Sequence, residues 1–241
     1  MTAKARLRRD LRNVSTRARA RVSERFFKTG PGEYGEGDRF LGATVPDLRK
    51  LSVKYEALLL KDLSSLLKSR WHEERLLALL ILVRQYERGA QPARNAIHKL
   101  YLGHTKYINN WDLVDASADA IVGAHLDEGD RALLHKLAQS RSVWERRIAI
   151  LASLHYIKKG EYDDTLTITE LLLRDEHDLI HKAVGWMLRE IGKRDQAVEE
   201  RFLKTHAARM PRTMLRYAIE RFPEPLRRRY LNARGGRLRG A

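Results

Sequence analysis

What most constrains this chain is a spacing. Ala78 lies in Arg-Leu-Leu-Ala, Ala149 in Arg-Arg-Ile-Ala, Gly185 in Lys-Ala-Val-Gly and Ala218 in Leu-Arg-Tyr-Ala. These small residues follow one another at intervals of 71, 36 and 33, and half of 71 is close to 36. The skipped unit falls near Asp115 to Ala118. The surrounding stretches are helical in period: Leu76, Leu79, Leu80 and Val83 in 71–88, Ile148, Ile150 and Leu151 in 143–158, and Ile180, Val184, Met187 and Leu188 in 177–192. A period in the mid-thirties built from helix pairs predicts an all-α chain, an α-solenoid whose pairs bury their apolar stripes only against neighbours. A small residue in each second helix lets adjacent pairs approach closely, and such a stack curves to give a concave face. About a dozen helices are expected, because no sustained alternation of period two occurs and the six prolines fall between periodic stretches or at helix starts.

Charge is unevenly spread. The formal net charge is +16, from 47 Lys and Arg against 31 Asp and Glu. Residues 1–28 carry ten of the basic residues against Asp10 and Glu24, and residues 227–241 carry six arginines and no acid. This divides the chain into a basic helical arm (1–28), a helical repeat domain (29–226) and an Arg/Gly-rich tail (227–241) expected to be disordered. Basic ends on a near-neutral body suit a partner with a repeating anionic backbone, each arginine releasing a counterion as it neutralises a phosphate. A solvated charge run is the plainer alternative. The absence of cysteine excludes disulfides, thiolate metal sites and a thiol nucleophile. The longest apolar run, Leu76 to Val83, is far short of a membrane span of about 20 residues. With no apolar segment behind the basic N-terminus, a cytosolic location is expected.

Two matches to chemical motifs are weak. Gly30-Pro-Gly32-Glu-Tyr-Gly35 fits G-x-G-x-x-G, but it follows a basic helical arm rather than a strand, and an acid stands where a pyrophosphate would approach. His177-Asp-Leu-Ile-His181 approximates H-E-x-x-H, but the glutamate is replaced by Asp178 and no third ligand is evident, so Asp178 is better read as favouring a helix start. No metal or cofactor is expected.

The most informative segment is Trp111-Asp-Leu-Val-Asp115. On a helix Trp111 and Asp115 share a face, Asp119 continues that stripe, and Asp112 points elsewhere, to a cap or a surface contact. An indole and a carboxylate on one stripe suit a site; they also suit a packed tryptophan with a structural aspartate, and the residues alone leave both open. Trp144 and Trp186 lie on second helices of later repeats, so Trp111, Asp115, Arg147 and Trp186 are candidates to line one continuous face. Trp71 and Trp144 are read as core residues.

Four motifs in order, Phe40-Leu-Gly42-Ala-Thr-Val-Pro46, Trp111-Asp-Leu-Val-Asp115, Trp144-Glu-Arg-Arg147-Ile-Ala-Ile-Leu151 and Lys182-Ala-Val-Gly-Trp186-Met-Leu-Arg189-Glu190, together resemble the AlkD-type DNA alkylation-repair family over about residues 29–218. The resemblance implies a HEAT-like repeat DNA glycosylase. By the same resemblance Asp115, Trp111 and Trp186 fall on the catalytic cleft and Arg147 on the arginine that holds the DNA backbone. Tyr34 corresponds to an N-terminal tyrosine of the cleft, and Lys182 and Arg189 are expected to meet DNA as well. The partner implied is double-stranded DNA with alkylated bases, handled by a monomer near the nucleoid. The loop between Lys28 and Asp38 and the arginine-rich ends depart from the best-known members. No lysine of the matched motifs is cast as a Schiff-base nucleophile, so the expected enzyme is monofunctional. The alternatives are a catalytically silent DNA-binding solenoid that senses distorted duplex, and a protein-binding scaffold.

Overall fold

A computed structural model describes residues 1–127 and 129–232. The chain divides into two compact units that meet in sequence at His125 and Leu126. Among the described residues there is no strand, only an isolated bridge between Arg39 and Trp71. The all-α solenoid organisation anticipated from the spacing is what is observed.

The first unit holds α1 (Ala3–Asn13), α2 (Arg17–Phe26), α3 (Val45–Lys54), α4 (Leu60–Leu67), α5 (His72–Arg88), α6 (Gln91–Leu102), α7 (Trp111–Asp115) and a π-helical turn over Ala118–Gly123. Its centre is α5. Leu76, Leu77, Ala78, Leu79, Ile81 and Leu82 are all buried there, so this helix is apolar on every side and is enclosed by α3, α4, α6, α7 and the π-helical turn. Thr44 starts α3: its hydroxyl accepts the Asp47 amide and donates to the Asp47 carboxylate at 2.6 Å, with Pro46 in the first turn. The basic N-terminal stretch is two different helices. α1 is docked through Leu7 and Leu11, both fully buried, whereas α2 has no buried residue.

The second unit holds α8 (Ala132–Ala138), α9 (Val143–Ala152), α10 (Leu154–Lys158), α11 (Asp163–Leu172), α12 (Asp178–Gly192), α13 (Gln196–His206), α14 (Arg212–Ala218) and α15 (Glu224–Asn232). The stretch 143–158 is thus two helices, broken at Ser153. α12 packs on α9 and on α14, which is the stacking of successive second helices that the repeat predicts. Gly185 is the point of closest approach. A methyl group there would fall 2.5 Å from Tyr217 Cβ and nearer still to the Met214 carbonyl, one turn from Ala218. Ala78, Ala149 and Ala218, the other members of the series, are fully buried, as is Ala118 at the skipped unit. Residues 227–232 belong to α15, so the part of the tail described is helical rather than disordered; residues 233–241 lie outside the described residues.

Candidate active site

The candidate site begins with the unusual start of α5. His72, Glu73, Glu74 and Arg75 are four consecutive charged residues, and all are buried. Burying charge is tolerated only with partners, and each has one. Glu74 receives three hydrogen bonds from Arg8 of α1, the shortest at 2.8 Å. Glu73 accepts the backbone amides of Leu41 and Gly42 at 2.9 and 2.7 Å. Arg75 donates to Asp38 at 2.6 Å and to the Ser69 carbonyl. His72 lies between two carboxylates, Asp38 on Nδ1 at 3.1 Å and Asp112 on Nε2 at 2.8 Å. Burial opposes a charge on His72, but Asp112 and Asp38 outweigh it and hold the pKa up at about 9, so the ring is cationic at neutral pH. Burial likewise opposes ionisation of Asp38, and the hydrogen bond from His72 and the charge of Arg75 overcome it and hold its pKa below the ordinary value.

This network sets the position of α7. Fully buried Asn110 donates to Asp38 at 3.2 Å and accepts the Trp111 amide at 2.8 Å, capping the helix. Asp112, in the first turn, is held by His72. The expectation that Asp112 serves a cap or a surface contact is corrected: it is one arm of a buried ion cluster. Trp111 is half-buried and its ring stacks on Phe27 at 5.2 Å. Phe27 stacks on Phe40 and Phe40 on His72, so one aromatic column runs from the candidate site back to the buried cation.

Asp115 ends α7 and is half-buried. In an uninterrupted α-helix Trp111, Asp115, Ala118 and Val122 would share a face. Ala118 and Val122 are fully buried, which would drag the first two into the core. The chain avoids this by breaking after Asp115 and continuing as the π-helical turn, a rare form often found at functional sites. The expected continuation of the stripe to Asp119 is therefore interrupted. Ser117 closes the break by donating to the Leu113 carbonyl at 2.6 Å and accepting from Tyr101 at 3.0 Å. Burial pushes the Tyr101 hydroxyl pKa up, and the negative charges of Asp115 and Asp119 add to that, which puts both carboxylates in electrostatic reach of it.

Tyr34 is half-buried in the loop 28–38, whose ends are Phe27 in the aromatic column and Asp38 in the ion cluster. In that loop the amides of Gly30 and Gly32 donate to the carboxylates of Glu33 and Glu36, each at 2.9 Å, so the glycine motif is filled by its own acids. Gly42 of the Phe40 motif has φ +87° and presses on the backbone of Thr16 and Ala20, which fits this segment between α2 and α5.

The remaining candidates lie in the second unit. Trp186 of α12 is half-buried and its indole donates to Glu190 at 3.2 Å. Lys182 pairs with Asp178 at 2.7 Å, and Arg189 with Glu220. Arg147 of α9 is only 5% exposed and donates to the Leu179 carbonyl at 2.6 Å, which ties α9 to the first turn of α12. To take a phosphate it would have to share that guanidinium. Trp71 and Trp144, read as core residues, are half-buried. The two histidines of the weak zinc motif are used locally: His177 Nδ1 accepts the Leu179 amide as the cap of α12, and His181 Nε2 lies 2.5 Å from the Asp175 carbonyl. Among the described residues no group of three or more His, Asp or Glu is arranged to hold a metal ion, and no helix is long and apolar enough to cross a membrane.

Sequence reasoning did not find Asp38, His72, Arg75 or Asn110. A signal existed: His72-Glu-Glu-Arg75 runs straight into the eight-residue apolar stretch, so a helix buried on all sides there had to bury its charged first turn too.

A structure described as a predicted DNA alkylation repair enzyme from Enterococcus faecalis has the same fold, with a TM-score of 0.68 and 18% identity over 87% of this chain and 97% of that one. No curated protein matches the sequence. The family model for DNA alkylation repair enzymes matches residues 7–222. With the repeat body, the capped α7 and its Trp111 and Asp115 all inside that match, the chain belongs to the DNA alkylation repair enzyme family.

Proposed function

We propose that the protein is a monofunctional DNA glycosylase that hydrolyses the N-glycosidic bond of purines alkylated at N3 or N7 in duplex DNA. The observation that carries this reading is the pairing of Trp111 and Asp115 on a helix of five residues that a buried ion cluster holds and a π-helical turn keeps out of the core.

Breaking the bond builds positive charge on the deoxyribose. An ordinary purine leaves poorly without an acid to protonate it. A purine alkylated at N3 or N7 is already cationic and departs neutral, so one carboxylate suffices where glycoside hydrolysis ordinarily needs two. Asp115 as the anion stabilises the sugar cation and orients the attacking water. Trp111 presents an electron-rich face to the same charge, and the family resemblance gives Trp186 the same part. Tyr34 is the further cleft residue. Lys182 and Arg189 would exchange Asp178 and Glu220 for phosphates, and Arg147 serves the backbone contact while keeping the start of α12 in place. The reading implies a cytoplasmic monomer acting near the nucleoid without cofactor, with selectivity arising from leaving-group lability.

The test is release of 7-methylguanine from duplex DNA. Wild type is expected to free the base, and Asp115→Asn to do so about 10²- to 10³-fold more slowly. Equal rates in the two proteins would remove Asp115 from the chemistry. Salt-dependent duplex binding without release by wild type would favour the second reading, a silent sensor of distorted duplex, which the overall basic charge also accommodates.

A further inference from the structure

α2 differs from the other long helices in burying none of its ten residues. Its outer surface is ordered in two rows. Arg17, Arg21 and Arg25 recur every four residues, about 6 Å apart along the axis. All three are exposed, and among the described residues none meets a carboxylate or a hydrogen-bond acceptor through its side chain. On the neighbouring helices α1 and α3, Lys4, Arg8 and Lys54 face Asp62, Glu74 and Asp10. Beside the arginine row runs an apolar row, Ala18, Val22 and Phe26, with Val22 68% and Phe26 63% exposed.

This face is held in place. Arg19 donates to the Gly42 carbonyl at 2.8 Å and to the Val14 carbonyl, and on the inner side Gly42 presses against Thr16 and Ala20. The helix therefore cannot roll its apolar row inward. At its C-terminal end the Phe26 ring meets the Trp111 ring edge-on at 5.8 Å. The exposed apolar row thus runs into the tryptophan of the candidate site. Three cations in line that make no ion pair among the described residues, with Glu24 and Glu33 near Arg21 and Arg25, stand beside apolar side chains left in water and match a surface that is anionic along a line and apolar next to it.

We propose that α2 is a docking helix for a nucleic-acid duplex. Arg17, Arg21 and Arg25 lie along the phosphates of one strand, and Phe26 lies against the nucleotides beside the one that Trp111 meets. Only the placement of Phe26 rests on the reading of Trp111 and Asp115 given above. A short basic helix with apolar residues also suits an anionic bilayer, but contact of Phe26 with Trp111 ties this row to the candidate site and favours the duplex.

The experiment compares full-length wild type, the Arg17→Gln/Arg21→Gln/Arg25→Gln variant and Phe26→Ala, after checking that thermal melting is unchanged, as expected for exposed positions. Affinity for duplex DNA with and without 7-methylguanine is measured from 50 to 200 mM salt, alongside sedimentation with phosphatidylserine-containing vesicles. Loss of three phosphate contacts flattens the salt slope by about 2.7, so wild type should lose roughly 40-fold more affinity than the triple variant across that range. Phe26→Ala should keep the wild-type slope and bind the 7-methylguanine duplex roughly fivefold or more weakly. An unchanged slope in the triple variant overturns the proposal, as does vesicle binding that needs the three arginines while duplex binding does not. If the slope flattens but wild type frees no base, the glycosylase reading fails and the docking helix stands; base release with an unchanged slope gives the reverse.

Discussion

The two units hold their candidate residues by opposite means. In the first, Trp111 and Asp115 sit on a five-residue helix fixed by buried charge: Asp38, His72, Arg75 and Asp112 around the Asn110 cap. In the second, Trp186 rides on a fifteen-residue helix fixed by apolar stacking on α9 and α14, with Gly185 pressed on the neighbouring backbone. A five-residue helix has too few apolar contacts to settle its own rotation, whereas directional hydrogen bonds from three separate segments do so. A long helix needs only complementary packing. The difference teaches that the helix of Trp111 and Asp115 is oriented by electrostatics, and that the helix of Trp186 is oriented by shape.

The contrast can be broken by removing its central acid. Asp38→Ala leaves His72 and Arg75 buried with less compensating charge and frees Asn110. It should cost about 3–5 kcal/mol in denaturant unfolding. A loss under 1 kcal/mol would mean that the cluster contributes little to the first unit.

A pH series sharpens it. The folded pKa of His72 is raised from 6.5 to about 9, so its contribution is complete below pH 6.5 and disappears as pH rises through 9. In the second unit burial raises Glu199 from 4.5 to about 8, with Glu200 adding and Arg189 opposing. Its contribution is complete below pH 4.5 and is lost as pH rises through 8. Both should weaken the protein toward alkaline pH by a few kcal/mol, in offset windows. Glu199→Gln should flatten the stability profile between pH 4.5 and 6.5, lessen the fall from 6.5 to 8, and leave the His72 contribution, which runs on to pH 9. A profile that Glu199→Gln does not alter would show that this carboxyl is ionised in the fold.

The smallest expected effect probes shape. Gly185→Ala forces a methyl against Met214 and Tyr217 and should cost about 1–3 kcal/mol by thermal melting, with the first unit unaffected. A neutral result would mean that α12 and α14 slide apart freely, against the packing reading.

The repeat was legible because small, buried residues recur in α5, α9, α12 and α14, and at Gly185 the neighbouring backbone leaves no room for a side chain. Trp111 and Asp115 were legible because an indole and an acid at helical spacing stand out. The ion cluster was not, since Asp38, His72, Asn110 and Asp112 come from three distant segments, and a charged run at a helix start reads as solvated until the helix is known to be enclosed. The burial of Arg147 was hidden for a related reason: Trp144-Glu-Arg-Arg147 carries two adjacent arginines, and the sequence does not say which turns inward.

The π-helical turn behind Asp115 has an evolutionary corollary. It works like a clutch between two gears, letting residues before it be selected for what they present outside the core while those after it are selected for packing. Deleting a single codon within 118–123 would mesh the gears again, so that either Trp111 and Asp115 turn inward or the packing of Ala118 and Val122 is lost.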